Sequence, residues 1–354
     1  MKILHTADIH IQEADDQRWQ ALATVLKRAE TEKADIVTIS GDLFDKNFSA
    51  TQTRGKIRQL FSQHDLQVII IPGNHDSQSF KQGLDFGQNV KIIYDLKKPI
   101  IIDNTAFYGM PFTPLNETEL IEQLQEIGGQ LDQTQTNILL FHGELLDQFF
   151  NSQDFGDEGD HRYLPVHLSS FTDLAFDYVL AGHFHKSFHL HQLTNQRLEQ
   201  GGFFIYPGSP VSITKKETGP RQACLFDTGA TPQAITLNTP YYQEINLTIS
   251  PEDELAPLAR LKNALKNIET QAQPLVSLSG YFSSQNLQTS EKKLNEELTK
   301  FLQEQNIAHT IELTDITEII NTPLYQTFLE KIPTDIEKSD ELKQLLIQAL
   351  IETV

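Results

Sequence analysis

The sequence predicts an α/β fold in two parts: a layered sandwich over residues 1–240, then a small α/β unit over 241–320 with a helical tail over 321–354. Three observations carry this. Short apolar runs alternate with stretches of helical period through the first half of the chain. After Gly182 the pattern turns hairpin-like. Thr239-Pro240-Tyr241 then interrupts the chain ahead of a compact strand–helix–strand–helix–strand set.

Taken in order, Lys2–Thr6 is a short apolar strand that leads into Asp8. Asp16–Glu32 has helical spacing, with Trp19, Leu22, Val25, Leu26 and Ala29 on one stripe, which makes Trp19 a core or dimer-contact residue. Asp35–Ile39 reads as a buried strand, Thr51–His64 as a helix and Gln67–Ile71 as a strand. Further strands are expected at Lys91–Tyr94, Ile100–Asp103, Ala106–Gly109, Asn137–Phe141 and Tyr178–Leu180. The hairpin-like segments are Ser187–His191, Phe203–Tyr206 and Gln222–Asp227, and the polar, acidic loop Asn151–Asp160 reads as mobile. Such a mixture favours a layered sandwich over a single doubly wound sheet. Beyond the break, strands Gln243–Ile249, Leu275–Phe282 and His309–Leu313 alternate with helices Glu252–Ile268 and Ser290–Gln303. The tail holds Leu324–Lys331 and Asp340–Ile351, separated by Pro333. The second of these carries an apolar stripe of Leu342, Leu345, Leu346, Ala349 and Leu350.

Composition narrows the function classes. With 39% hydrophobic and 21% charged residues, the 354-residue chain reads as an ordinary soluble protein. Its apolar runs are too short to span a bilayer, and its start has no signal-peptide pattern, so a cytoplasmic location away from membranes is expected. The single Cys224 excludes an internal disulfide and a thiolate zinc site, and its place in a buried strand makes it structural. Net charge is −20, from 28 Lys and Arg against 48 Asp and Glu. No segment forms a basic arm, which argues against a strong sequence-independent grip on nucleic acid, although bound cations would offset part of the acidity.

Five short motifs carry chemistry, each at the C-terminal end of an expected strand: Asp8-Ile9-His10, Gly41-Asp42, Gly73-Asn74-His75-Asp76, His142-Gly143-Glu144 and Gly182-His183-Phe184-His185. Strand ends are where an α/β sheet offers side chains to a common crevice. Carboxylate, amide carbonyl and imidazole suit Mn²⁺, Fe²⁺ or Zn²⁺. In Asp8-x-His10 and His183-x-His185 the paired side chains share a face if the backbone is extended. Gly41 permits a sharp turn that leaves Asp42 free to bridge two ions. Two divalent ions roughly 3.5–4 Å apart activate water and hold the attacking and leaving oxygens of a phosphoester. His75 is placed to protonate the leaving oxygen, with Asp76 fixing its tautomer. Each dipeptide alone occurs by chance in many chains; the signal is all five in this order, each after an apolar strand.

That order, together with Lys2-Ile3-Leu4-His5-Thr6-Ala7-Asp8, Gly41-Asp42-Leu43-Phe44-Asp45 and Tyr206-Pro207-Gly208-Ser209-Pro210, resembles the calcineurin-like metallophosphoesterases. Within them the chain is similar to the nuclease subunits of bacterial SbcCD-type DNA-repair complexes. The resemblance covers residues 1–240 closely and the C-terminal part only by element order. It implies a four-layer αββα sandwich with a small C-terminal α/β cap. It also implies one metal ion on Asp8, His10, Asp42 and His185, a second on Asp42, Asn74, His142 and His183, and His75 as catalytic histidine. Two Mn²⁺ ions, hydrolysis of DNA phosphodiesters without a covalent enzyme intermediate, a homodimer, and a coiled-coil SMC-type ATPase partner docked by residues 321–354 follow from the same likeness.

The sequence departs from the family in places. Many relatives have a histidine three residues after the bridging Asp, where this chain has Asp45, and Ile11-Gln12 replaces a Leu-Gly. Lys186, Lys215, Lys216 and Arg221 read as a solvated charged face, with a local DNA-facing patch as the alternative, and no residue is assigned to DNA contact. His189 and His191 are expected to face solvent, and His161 and His167 lie outside the metal motifs. Two other functions stay open: a phosphodiesterase or phosphatase of small molecules on the same fold, and a weakly active scaffold subunit. The stripe Leu342–Leu350 likewise packs on its own unit or docks a partner.

Overall fold

The computed structural model describes residues 1–46, 48, 50–77, 79–80, 85–147, 164–172, 174–194, 201–331 and 339–351. The loop Asn151–Asp160, His161 and Pro333 lie outside the described residues. The chain divides into two compact units, Met1–Tyr242 and Gln243–Val354.

The first unit begins with β1 (Lys2–Thr6), α1 (Gln17–Thr31), β2 (Ile36–Ser40), α2 (Ala50–Ser62), β3 (Gln67–Ile71) and β4 (Val90–Ile92). It continues with β5 (Ile100–Ile102), β6 (Thr105–Met110), α3 (Glu117–Gly128), β7 (Thr136–His142) and β8 (Tyr178–Gly182). The last strands are β9 (His189–Leu193), β10 (Gly202–Tyr206), β11 (Gln222–Asp227) and β12 (Gln233–Thr236). They form two six-stranded sheets, ordered β12-β11-β1-β2-β3-β4 and β5-β6-β7-β8-β10-β9. Strands β1 to β4 are parallel, as are β6, β7, β8 and β10. Antiparallel strands close the edges.

The pleat explains the layering. Alternate residues of a strand point to opposite faces, so a strand buried on both faces is apolar at nearly every position. Ile3, Ile36, Ile69 and Ile71 from one sheet meet Ile138, Leu140, Leu180 and Ile205 from the other in a shared inner core. The intervening Leu4, Val37, Ile39, Val68 and Ile70 face α1 and α2, packing on Trp19, Leu22, Ile57 and Phe61. On the far side, Leu139, Phe141, Val179 and Phe204 pack on Leu120, Leu124 and Ile127 of α3. The result is a four-layer αββα sandwich, and Trp19 is a core residue of it.

Local differences from the sequence reading have identifiable causes. Helix α3 has no counterpart among the expected elements, although Asn116 accepts from Glu119 N–H and Glu119 returns the bond, a capping box that marks its start. Strand β9 starts two residues later than Ser187, because the carbonyls of His185 and Lys186 are taken by Arg221 rather than by a ladder. Of the hairpin-like segments, Ser187–His191 and Phe203–Tyr206 contribute to the β9–β10 hairpin, while Gln222–Asp227, as β11, pairs with β12 and with β1 in the opposite sheet.

The second unit holds all but the first two residues of β13 (Tyr241–Ile249), then α4 (Pro257–Lys266), β14 (Ala272–Phe282), α5 (Ser284–Leu287), α6 (Glu291–Glu304), β15 (Ala308–Asp315), α7 (Thr317–Ile320), α8 (Pro323–Lys331) and α9 (Ser339–Ile351). Its sheet order is β13-β14-β15, with β14 and β15 parallel. Leu261, Leu294, Leu298 and Leu302 bury the helices on Ile249, Leu278 and Leu313. Helix α4 begins at Pro257 rather than Glu252, since Asp253 turns the chain by accepting from Ser250 N–H and proline suits a first helical position. The α9 stripe is divided: Leu346 and Leu350 pack partly buried against Ile316, Ile319, Tyr325 and Ile347, while Leu342 is 39% and Leu345 61% exposed. Among the described residues no helix is long and apolar enough to cross a membrane.

Candidate metal centre

Strands β1, β2, β3, β7 and β8 deliver the motif residues, and the turns that follow them do the aiming. Asp8, His10 and Asp42 have φ of 55°, 52° and 50°, and His183 has 101°, all in the left-handed region that costs a non-glycine residue about 1–3 kcal/mol. The backbone at Asp8 and His10 is therefore not extended. Ile9 and His10 N–H both donate to the Asp42 carbonyl, and Asp8 N–H donates to that of Gly41, so two turns are laced together. Gly41, at φ 85°, is required twice: a Cβ there would sit 2.1 Å from His142 Nδ1. Gly182 is equally tight, since its Cβ would fall 2.0 Å from the Ser40 carbonyl oxygen.

Asp42 stands at the middle. Its Oδ2 lies 3.6 Å from His10 Nε2 and 3.4 Å from His142 Nε2. That oxygen is buried and makes no hydrogen bond among the described residues, while Oδ1 accepts from His75 N–H at 2.8 Å. On one side Asp8, His10 and His185 bring ligand atoms within 4.8 Å of one another; on the other Asp8, Asp42 and His142 do. His10 Nε2 and His185 Nε2 face each other at 3.2 Å, and Asn74 Oδ1 lies 2.8 Å from His142 Nε2. His142 Nδ1 donates to the Ser40 carbonyl at 2.9 Å, which leaves Nε2 as the nitrogen available to a cation. His183 differs: its backbone N–H donates to both oxygens of Asp8, and its ring lies 5.4 Å from that of His142, outside the three-residue clusters.

Burial dominates the electrostatics. It pushes Asp8 up to about 6 and His10 down to about 3. Burial would also raise Asp42 and depress His142, but each overrides this for the other: Asp42 is held far below the usual carboxylate range and His142 is raised to about 10. Facing imidazole nitrogens and a buried carboxylate oxygen without a donor are what a divalent cation would satisfy, and the oxygen and nitrogen donors fit Mn²⁺, Fe²⁺ or Zn²⁺.

The sequence pattern of the calcineurin-like phosphoesterases matches residues 1–187. The chain belongs to this family. It is 25% identical over 252 residues to a subunit of the SbcCD nuclease of Staphylococcus epidermidis, an alignment that takes in 61% of this chain and 64% of that protein. It is 26% identical over 250 residues to the same subunit in Staphylococcus saprophyticus, covering 62% and 63%. The chain thus spans under two thirds of the length of these relatives. Among solved structures, TT1561 of Thermus thermophilus is similar over 66% of this chain and 98% of its own, with 15% identity and a TM-score of 0.45. The family match and the His/Asp clusters make this chain a metal-dependent phosphoesterase with a candidate dinuclear site.

Residues around the centre of this calcineurin-like phosphoesterase take roles that motif reading misplaced. His75 does not pair with Asp76. Its Nδ1 lies 3.3 Å from Asp45 Oδ1, and Asp45 Oδ2 accepts from Gln12 and from Arg18, which also donates to the His10 carbonyl. The hydrogen bond from His75 holds the Asp45 carboxyl well below its usual range. Asp76 is buried and accepts from Gly73 and Phe44 N–H; burial, then the charge of Asp42, pushes it up to about 7. Arg221 belongs to no charged surface: at 2% exposure it donates to the carbonyls of His185, Lys186 and Ser209. Glu217, which carried no local motif, lies buried with Oε1 3.5 Å from His185 Nδ1. His189 and His191 are half-buried rather than solvent-facing, and His189 sits edge-on to Phe184. His167 lies 3.4 Å from Asp147 at the surface, away from the metal clusters.

Proposed function

We propose that this chain is a DNA nuclease that hydrolyses phosphodiester bonds with two divalent ions, Mn²⁺ in the first instance. One ion is held by Asp8, His10, Asp42 and His185, and the other by Asp42, Asn74, His142 and His183. The observation that carries the reading is the Asp42 carboxylate, which faces His10 on one side and His142 on the other. When bound, such a pair of ions supplies activated water and Lewis-acid stabilisation of the phosphoryl oxygens. The chain's own residues orient and move protons. His75, anchored through Nδ1 on Asp45, keeps Nε2 for the leaving oxygen. Asp45 takes the post that a histidine holds in many relatives, and Arg18 and Gln12 hold it in place.

The choice of DNA rests on the two nuclease subunits to which the chain is similar. On the same ground we propose a homodimer that joins a coiled-coil SMC-type ATPase, with α8 and α9 as the docking segment, where Leu324 and Leu345 are each 61% exposed. A second reading, hydrolysis of a small phosphodiester, is favoured by one observation: with Arg221 buried, the basic group expected beside the last motifs shrinks to Lys186, Lys215 and Lys216 in a chain of net charge −20. Cleavage of end-labelled duplex and single-stranded DNA with Mn²⁺, beside a small aryl phosphodiester and a His75→Ala control, tests both. DNA cleavage that needs Mn²⁺ and His75 is the expected result. Hydrolysis of the small ester alone would move the enzyme to small substrates, and full activity of His75→Ala would overturn the catalytic assignment.

A further inference from the structure

The two sides of the centre orient their imidazoles differently. His142 gives its Nδ1 proton to a neutral acceptor, the Ser40 carbonyl. His185 has a carboxylate at the corresponding nitrogen: Glu217 Oε1, 3.5 Å from Nδ1. Glu217 is 1% exposed and held from several directions. Its Oε2 accepts from Ile213 N–H at 2.8 Å and from the Ser209 hydroxyl at 3.1 Å. Its Oε1 accepts from Thr214 N–H at 3.2 Å and from the Thr214 hydroxyl at 3.1 Å. A buried anion needs such donors and a nearby positive or polarisable partner. Burial alone would raise this carboxyl, and His185 leads the groups that bring it down to about 2 instead.

The backbone of His185 is held as firmly. Its carbonyl accepts from Arg221 Nη2 and from Ser209 N–H, and Arg221 adds bonds to the Ser209 carbonyl at 3.0 Å, the Lys186 carbonyl at 2.9 Å and the Ser209 hydroxyl at 3.0 Å. The main chain of this one histidine is thus fixed by a segment that follows it in sequence, and its ring nitrogen faces Glu217 of the same segment at ion-pair distance, with no closer hydrogen bond to that nitrogen among the described residues. At His142 the Nδ1 hydrogen bond ends on a peptide oxygen, and Asp8 Oδ1 stands off from that nitrogen at 3.9 Å as a member of the metal cluster itself.

We propose that Glu217 is a positioning residue of the metal centre: it takes the Nδ1 proton of His185 and presents Nε2, unprotonated, to the ion shared with Asp8 and His10, while Arg221 sets the backbone of the same residue. A carboxylate behind a ligating imidazole fixes its tautomer and increases its basicity, and losing such a partner lowers metal affinity by about 10–100-fold. The inference rests on the two-ion reading of the site. It adds that the ion at His185 is held through an anionic relay, and the ion at His142 through a peptide carbonyl.

The test is calorimetric titration of Mn²⁺ into the metal-stripped full chain, wild type beside Glu217→Gln, with thermal unfolding of both metal-free proteins. Gln keeps the shape of the buried side chain and removes its charge. The expected result is two equivalents bound by the wild type, and about 10–100-fold weaker binding of one of them in the variant. Equal binding of both by a folded variant would overturn the role of Glu217. Failure of the wild type to bind Mn²⁺ at all would overturn the site reading itself, and this inference with it. Should the variant not fold, two-bond proton–nitrogen spectra of the histidine-labelled, Zn²⁺-loaded wild type decide the matter. A proton on His185 Nδ1 and metal on Nε2 support the relay; the reverse arrangement overturns it.

Discussion

Lowering the pH should destabilise the first unit through His5, and the size of the effect follows from its surroundings. His5 lies in β1 with no exposure, its Nε2 3.2 Å from the Ala181 carbonyl in the other sheet and its Nδ1 3.2 Å from the Thr38 hydroxyl. A carbonyl only accepts, so Nε2 carries a proton; in the neutral ring that burial favours, Nδ1 is left to accept from the Thr38 hydroxyl. Burial pushes its pKa down to about 4, against the Ala181 carbonyl and the Thr38 backbone, which favour charge. An unfolded histidine titrates near ~6.5. Because the folded value is the lower one, the unfolded chain binds the proton first, and stability present above the unfolded value is lost as pH falls towards the folded one. Between pH 7.5 and pH 5.0 the loss comes to ~2 kcal/mol, approaching ~3 kcal/mol below pH 4.

The site is fully buried, so solvent screening removes little of this. Trp19 is the one tryptophan and sits in the core of the same unit, so its fluorescence follows unfolding of that unit in urea. Other groups titrate as well, including the histidines of the metal centre, and the comparison with His5→Gln isolates the one at issue. Gln keeps a donor for Ala181 and cannot take up a proton. The stability advantage of wild type over His5→Gln should shrink by ~2 kcal/mol from pH 7.5 to 5.0, a midpoint change of about 0.7 M urea at a slope of about 3 kcal/mol/M. An advantage that stays constant across that range would refute the neutral-imidazole argument.

Three other outcomes are expected. Asp45→Asn should lower the Mn²⁺-dependent rate at least about 10-fold, since a charge-assisted bond to His75 Nδ1 becomes a neutral one and the amide favours the wrong tautomer; an unchanged kcat on an aryl phosphodiester would exclude a role for the pair. Gly41→Ala should destabilise the first unit by about 3 kcal/mol or more, because a methyl group 2.1 Å from the His142 ring adds overlap to left-handed strain; the urea midpoint followed by Trp19 fluorescence measures it, and a midpoint equal to that of wild type would contradict it. Asp42→Asn should weaken both Mn²⁺ equivalents together, and calorimetry that finds one equivalent untouched would show that Asp42 does not serve both sides.

How far the sequence alone reaches depends on the range of the physics involved. The sandwich is legible because burial on both faces makes strands such as Ile36–Ser40 and Gln67–Ile71 mostly apolar, a local signal. The candidate site is legible as a set of residue types at strand ends. Its geometry is not: the spacing suggests extended backbone at Asp8 and His10, and left-handed turns laced through the Gly41 and Asp42 carbonyls bring them together instead. The same limit explains the partner of His75. Adjacent Asp76 is the local candidate, yet its carboxylate is committed to the N–H groups of Gly73 and Phe44, and Asp45, thirty residues away, meets the ring.

Arg221 makes the strongest case for that distinction. In sequence it joins Lys186, Lys215 and Lys216 as a charge, and a charge is assigned to the surface by default. Its guanidinium instead offers five donors in a rigid fork, and three carbonyls and a hydroxyl take up four of them. Removing it from the surface leaves the region near the centre less basic than composition suggests, while the neighbouring Glu217 supplies negative charge inside. The acidity of this chain is therefore not spread idly over its exterior. Part of it, in Asp8, Asp42, Asp76 and Glu217, is buried around a site whose imidazoles and carboxylates converge, and buried anions at such density call for cations to balance them.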